Sequence, residues 1–160
     1  MGHRRHVDPA PRWRLGRLMP QVSFDYRFHI PGDDDSIYPA AEVEFLGDDG
    51  HWRPFILFVD SGAHLTILTA SDALRLGLNI KLGRSINLYG VSGSVKAYIH
   101  HVPIRIADKQ FTAEVAFSIS DDTPRLLGRA DVFKNFIVTF RETRRKTIFT
   151  EEPARSIKLR

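Results

Sequence analysis

The chain contains no cysteine among its 160 residues, which excludes disulfide bonds and metal sites built on thiolates. No apolar run approaches the roughly 18 residues that a transmembrane helix requires, so no membrane span is expected. The first 20 residues are basic but have no apolar core of the kind found in signal peptides. No internal repeat and no low-complexity tract is present. Together these absences predict a cytoplasmic globular protein.

Basic charge is concentrated near the two ends of the chain. Residues 1–20 hold five Arg against one Asp, and residues 141–160 hold seven Lys or Arg against three Glu. The net charge of +4 therefore leaves residues 21–140 with 15 acidic and 11 basic side chains, a net charge of −4. Nucleic acid is not an expected partner, because tail charge usually serves only solvation. A contact between the tails and a polyanion is the minor alternative.

The length suits a single domain, which we expect at residues 22–150, between a basic tail or linker at 1–21 and a basic C-terminal tail at 151–160. Alternating apolar residues and Gly- or Asp-rich turns predict many short strands. One strand face is predicted to carry Val22, Phe24, Tyr26, Phe28 and Ile30. Further strands are predicted in YPAAEVEFL, HWRPFILFVD, SINLYG, SVKAYIHHVPIRIA, KQFTAEVAFSI, FIVTF and KTIFT. This pattern indicates a mostly-β barrel or sandwich.

Two short helices interrupt the strands. The segment TASDALRLGL is typical of a helix, because Thr69 and Asp72 have the spacing of a capping box and Gly77 can end it. Residues 129–134 are expected to form one or two helical turns.

Three features in a fixed order point to chemistry. In FILFVDSGAHLTIL, the five apolar residues before Asp60 are interpreted as a strand buried on both faces. A carboxylate placed there is unfavourable unless it is paired or hydrogen-bonded, although Asp-Ser-Gly also occurs as an ordinary turn. YGVSG, residues 89–93, reads as a mobile hairpin tip, and RLLGRAD, residues 125–131, places two aliphatic residues and a Gly before the second helix.

The joint order and spacing of these features resembles the retropepsin-like aspartic proteases, over residues 38–150. The resemblance implies a closed acid-protease barrel with one or two short helices that is active as a homodimer. It implies an aspartic endopeptidase without metal or cofactor, in which a water is activated by Asp60 from each of two copies. The chain has a single Asp-Ser-Gly, so one copy supplies one carboxylate. A catalytically silent dimerisation or peptide-binding domain is the alternative.

The resemblance also assigns roles to individual residues. Asp60, Ser61 and Gly62 are expected at the catalytic centre, and an extended peptide substrate is expected to contact Ala63, Tyr89, Gly90, Val91, Ser92, Gly93 and Leu126. Viral members carry an acidic residue after the Ala, where this chain has His64, so Arg129 is expected to find another partner. His100 and His101 are interpreted as solvated residues, because neighbours on a strand point to opposite faces.

Overall fold

The computed structural model describes residues 19–28, 37–90 and 93–153, which contain twelve strands and one α-helix. The strands are β1 Gln21–Asp25, β2 Arg27–Phe28, β3 Ile37–Tyr38, β4 Ala40–Leu46, β5 Trp52–Val59, β6 Thr66–Thr69, β7 Arg84–Gly90, β8 Gly93–Ile106, β9 Lys109–Ser118, β10 Leu126–Leu127, β11 Phe136–Arg141 and β12 Lys146–Glu151. Helix α1 spans Ala70–Arg75, and single 3₁₀ turns occupy Ile80–Leu82 and Glu142–Arg144. None of these helices has the length and apolar character needed to cross a membrane.

Six strands close into a barrel. Their order is β4-β5-β10-β6-β9-β8, and β8 pairs back to β4 at Arg105 and Ile104. The other half of β8 forms a hairpin with β7 that projects from the barrel. Most pairings are antiparallel, but β10 runs parallel to β5 and β6 runs parallel to β9. The structure therefore confirms the closed barrel and not the sandwich.

The ends of the described chain meet in a separate three-stranded sheet of order β1-β12-β11. Its Val22 and Phe24 pack against the barrel core, as the alternating pattern predicts. The predicted N-terminal strand is interrupted at Tyr26, whose N–H donates to the carbonyl of Arg145. Beyond it, β2 pairs with β3 instead, and Ile30 lies outside the described residues.

The barrel interior is filled by aromatic and aliphatic side chains, and the largest fully buried ones are Phe45, Phe117, Phe149, Leu57, Leu68 and Leu76. The prediction that β5 is buried on both faces is wrong. Phe55, Leu57 and Val59 point into the core, whereas Ile56 is 36% exposed and Phe58 is half-buried. The outward face of β5 lies at the barrel surface of this single chain, so only one face can be buried in its core.

Helix α1 has the ends that its sequence predicts. Thr69 and Asp72 form the capping box, and the helix ends in a Schellman motif with Gly77 in the left-handed region at a φ of 73°. Residues 129–134 form one turn closed by a bond from the Phe133 N–H to the Arg129 carbonyl, at the lower end of the one or two turns predicted, and they do not continue into a regular helix. Asp131, with a φ of 64°, interrupts the right-handed conformation that a helix would need.

Candidate active site

Asp60 lies at the point where β5 leaves the barrel. Its N–H donates to the carbonyl of Leu127 at 3.1 Å, and one of its carboxylate oxygens accepts the N–H of Gly62 at 2.8 Å. The side chain is half-buried. The apolar strand and the Gly62 N–H together therefore fix the position of the carboxylate at the barrel surface.

The short strand β10 passes between β5 and β6, directly beneath the Asp60 loop. Leu126 pairs with Phe58 on one side and with Ile67 on the other. Gly128 follows, and its N–H donates to the buried hydroxyl of Thr66 at 3.2 Å. A Cβ at Gly128 would lie 2.3 Å from the carbonyl oxygen of Leu65, so the crossing has no room for any side chain. A glycine is required here because two backbone segments are in direct contact.

Two further backbone hydrogen bonds tie the end of the Asp60 loop to the residues after β10. Arg129 donates to the carbonyl of Ala63 at 3.0 Å, and Ala130 donates to that of His64 at 2.8 Å. The loop is thus held on both sides by main-chain bonds whose formation does not depend on side-chain identity.

A buried ion pair anchors β10 from below. The carboxylate of Asp72 is fully buried and accepts two hydrogen bonds from the Arg125 guanidinium, at 2.8 and 2.7 Å, and one from the Thr69 N–H. Burial raises the pKa of Asp72, but the bonds from Arg125 and Thr69 outweigh it, so the pKa lies below its ordinary value. Because Arg125 immediately precedes Leu126, this pair links helix α1 to the strand beneath the site.

The β7–β8 hairpin projects from the barrel near this loop, and we call it the flap. Gly90 and Gly93 pair at its end, and a Cβ at either would meet no atom within 4 Å. Tyr89 is 82% exposed. The two residues of the tip, Val91 and Ser92, lie outside the described residues.

Two cavities flank β10. The first, of about 500 Å³, is lined by Asp60 and Ser61 together with apolar side chains, and we call it the Asp60 cavity. The second, of about 380 Å³, lies between the flap and the 120–126 segment, and we call it the flap cavity. Leu126 and Pro124 line both. The two cavities are therefore neighbours on one surface.

Most of the predicted site residues that the structure describes line these cavities. Asp60 and Ser61 line the Asp60 cavity, Tyr89, Gly90 and Gly93 line the flap cavity, and Leu126 lines both. Gly62 and Ala63 line neither; the Gly62 N–H bonds to the Asp60 carboxylate and the Ala63 carbonyl accepts the Arg129 N–H. Arg129 itself is exposed, and no carboxylate of the described residues lies within ion-pair distance of its guanidinium.

The structure adds residues that sequence reasoning missed. Tyr38, Phe58 and Phe140 line the Asp60 cavity, and the rings of Tyr38 and Phe58 meet edge to face with centroids 5.9 Å apart. Pro124 lines both cavities. Phe58 could have been found from the sequence, because strict alternation along β5 places it on the outer face of the strand. Phe140 could not, because only the tertiary structure brings it to the cavity.

The described residues contain no group of three His, Asp or Glu side chains that could hold a metal ion. The Nε2 nitrogen of His100 donates a hydrogen bond to the carbonyl of Ile80 at 2.9 Å and the ring packs on Phe117, whereas His101 is exposed beside Glu114. The two imidazoles point to opposite faces of β8, as predicted. The interpretation of His100 as a solvated residue is wrong, because its ring is half-buried against Phe117 and bonded to the Ile80 carbonyl.

Comparison with known proteins supplies a family and a fold. A family model described as gag-polyprotein putative aspartyl protease matches residues 49–133, and no curated protein matches the chain. The crystal structure of a retropepsin-like aspartic protease from Rickettsia conorii superposes with a TM-score of 0.60, at 16% identity, over 84% of this chain and 92% of that one. The EIAV protease in complex with the inhibitor HBY-793 gives a TM-score of 0.46, at 22% identity, over 62% of this chain and 88% of that one. The superposition on the Rickettsia conorii protein shows the retropepsin-like fold.

Proposed function

The chain belongs to the gag-polyprotein putative aspartyl protease family, and on this premise we propose that it is an aspartic endopeptidase whose catalytic dyad is formed by Asp60 of two copies. The observation that carries the proposal is the position of Asp60. Its carboxylate lines a cavity of about 500 Å³ and is held in place by the Gly62 N–H and by the strand threaded beneath it.

The need for a second copy follows from the chemistry. Peptide hydrolysis by carboxylates uses two of them, and this chain has one Asp-Ser-Gly sequence. Two carboxylates in contact cannot both be ionised, so they share a proton. A homodimer with Asp60 on its two-fold axis would supply such a pair. The exposed hydroxyl of Ser61 is available for a hydrogen bond to the other copy.

In the proposed reaction, the ionised carboxylate takes a proton from a water molecule as the water oxygen attacks the scissile carbonyl carbon. The protonated carboxyl donates a hydrogen bond to the carbonyl oxygen as that oxygen becomes negative. The tetrahedral intermediate collapses when the C–N bond breaks and the leaving nitrogen takes up a proton from the dyad. No cofactor enters these steps.

The substrate is proposed to lie extended beneath the flap, paired through main-chain hydrogen bonds. The flap residues Tyr89, Gly90, Val91, Ser92 and Gly93 would cover it, while the side chains around Leu126 would contact apolar groups beside the scissile bond. Ala63 is proposed to keep the base of the site small. A cytoplasmic location stays a prediction that rests on the composition of the sequence.

The test is cleavage of casein and of fluorogenic peptides by the purified chain, with and without a pepstatin-type inhibitor. We expect inhibited cleavage, a bell-shaped pH profile that belongs to the pair, and specific activity that falls on dilution as the dimer dissociates. Activity that is flat from about pH 4 to 9 would contradict a carboxylate dyad. Binding of peptides without cleavage would favour the silent peptide-binding domain, and an active monomer would overturn the shared site.

A further inference from the structure

The charged side chains that line the two cavities are of one sign. Among the described residues they are Asp60 in the Asp60 cavity and Asp122 in the flap cavity, and no Lys or Arg lines either. Carboxylates that line a partly enclosed surface create a negative potential, which favours cationic groups over anionic ones. The flap cavity therefore differs from a purely apolar pocket.

Asp122 is available to a ligand, whereas its neighbour Asp121 is not. Asp121 accepts hydrogen bonds from the hydroxyl and the N–H of Ser71, at 2.6 and 3.1 Å, which fix it against helix α1. Asp122 is exposed, its N–H bonds to the hydroxyl of Ser120, and its carboxylate makes no ion pair within the described part of the chain.

No Lys or Arg of the described residues forms an ion pair with Asp122. Arg125, three residues later, lines a third cavity together with Asp122, but its guanidinium donates two hydrogen bonds to Asp72 and forms its ion pair there. On the flap, Lys96 lies over the ring of Tyr98 at 5.5 Å and does not line the cavity that Val95 lines. The carboxylate of Asp122 therefore lies at the edge of the flap cavity without a cationic partner among the described residues.

The remaining walls suit the stem of a long cationic side chain. Ile67, Leu88 and Val95 supply apolar surface, and the exposed ring of Tyr89 lines the same cavity. Lys and Arg side chains bury their methylene stems against apolar surface and keep the charged head in a polar setting. An aromatic face adds a cation–π attraction to such a head.

We propose that Asp122 is a specificity-determining residue that selects substrates with a Lys or Arg side chain at the position bound in the flap cavity. The proposal rests on the proposed peptidase function, since it assigns a substrate class to that same site. It predicts an extended substrate with a basic residue close to apolar residues at the scissile bond.

The experiment compares peptides that carry Lys, norleucine or Glu at each position around the scissile bond. Norleucine has the length of the Lys stem without the ammonium group, so it isolates the charge. We expect kcat/KM to be about fivefold higher for Lys than for norleucine at one position, and lower still for Glu. The preference should shrink as the salt concentration rises.

Variants assign that preference to Asp122. Asp122→Asn should bring the Lys-to-norleucine ratio close to one, and Asp122→Lys should make Glu preferred over Lys. Asp108→Asn is the matched control, because Asp108 is an exposed aspartate at the β8–β9 turn that lines neither cavity. Its ratio should equal that of the unmodified chain.

A binding measurement separates this proposal from the peptidase function. Asp60→Asn should bind the same peptides without cleaving them, and fluorescence anisotropy should show tighter binding of the Lys peptide. Cleavage or binding with no Lys preference at any position would overturn the role of Asp122 and leave the peptidase function standing. A Lys preference in binding, with no cleavage by the unmodified chain, would contradict the peptidase function alone. Failure of every peptide to bind would overturn both.

Discussion

The loop that carries Asp60 and the end of the flap contact neighbouring cavities, yet they are built in opposite ways. At the loop crossing, Leu127 is fully buried and a Cβ on Gly128 would lie 2.3 Å from the Leu65 carbonyl oxygen. At the flap end, Tyr89 is 82% exposed and a Cβ on Gly90 would meet nothing within 4 Å. The loop crossing is packed on all sides, whereas the flap end is attached to the rest of the molecule on one side only.

This difference matches two separate demands of the proposed reaction. A catalytic carboxylate must be oriented to within a fraction of an ångström before the substrate arrives. A cover must open and close around an extended chain. The experiments below alter the Asp60 loop or its support, or compare the loop with the flap, and they run from the largest expected effect to the smallest.

Asp60→Asn should lower kcat/KM for peptide cleavage by about 10²–10⁴-fold or more, because the dyad loses the carboxylate that accepts the proton of water. The measurement is the rate of fluorogenic peptide cleavage, with circular dichroism to check the fold. Asp108→Asn, at an exposed turn, should retain full activity. A folded Asp60→Asn protein that cleaves at the unmodified rate would refute the catalytic role.

Gly128→Ala should destabilise the chain by about 3 kcal/mol, because its methyl group would overlap the backbone of Leu65 and His64. Gly90→Ala, in open space at the flap end, should stay within about 0.5 kcal/mol. Urea denaturation of both variants measures the difference. Equal losses of stability would mean that the two regions are not packed differently.

Asp72→Asn should lower the free energy of unfolding by about 2 kcal/mol. The loss should be smaller than the loss expected on breaking a fully enclosed ion pair, because the Arg125 side chain is 42% exposed. The folded pKa of Asp72 lies below its ordinary 3.8, so its ionised form stabilises the fold above that value. This contribution is lost as the pH falls through the folded pKa. The unmodified chain should therefore lose stability in acid more steeply than the variant.

Denaturation curves at a series of acidic pH values make the comparison. Asp25→Asn is the control, because Asp25 pairs with Lys146 on the exposed surface and its pKa is also lowered by that pair. It should change the acid limb less than Asp72→Asn does. Identical acid limbs for the unmodified chain and Asp72→Asn would contradict the role given to the buried pair.

Amide exchange should be faster at the flap end than at the Asp60 loop. The N–H of Asp60 is bonded to the Leu127 carbonyl inside the crossing, whereas the amides near Gly90 lie at the end of a two-stranded hairpin. Mass spectrometry of exchanged peptides compares the two in the free protein. A pepstatin-type inhibitor should slow the flap and barely affect the loop, whereas unchanged flap exchange at saturation would argue against a closing cover.

Local features of the fold could be predicted from local sequence. The capping box of Thr69 and Asp72 and the end of α1 at Gly77 depend on residues within one helix, and the structure has them. The closed barrel came from the resemblance to a family, since the β4–β8 pairing joins strands that no local pattern relates. Ile56 illustrates a local prediction that was wrong. The unbroken apolar run before Asp60 suggests a strand buried on both faces, but the strand alternates between buried and exposed residues.

The site was predictable only in part for the same reason. The position of Asp60 after an apolar strand is a local signal. The pairing of Asp72 with Arg125 joins residues 53 apart, and neither residue is unusual in its own segment. The second predicted helix does not form because Asp131 has a left-handed backbone conformation, which the composition of the segment does not reveal.

The threading of β10 has a consequence for how the chain folds. The bond from Gly128 to Thr66 spans 62 residues, and the entropy of closing that loop opposes every contact of β10 until both neighbouring strands are in place. Local hairpins such as β4–β5 and β7–β8 can form without it. The bonds that fix Asp60 should therefore be among the last to form. On the ribosome, a chain that has not yet emerged beyond Gly128 lacks the strand that supports Asp60, so the proposed hydrolytic activity would begin only after all six barrel strands have been made and two copies have met.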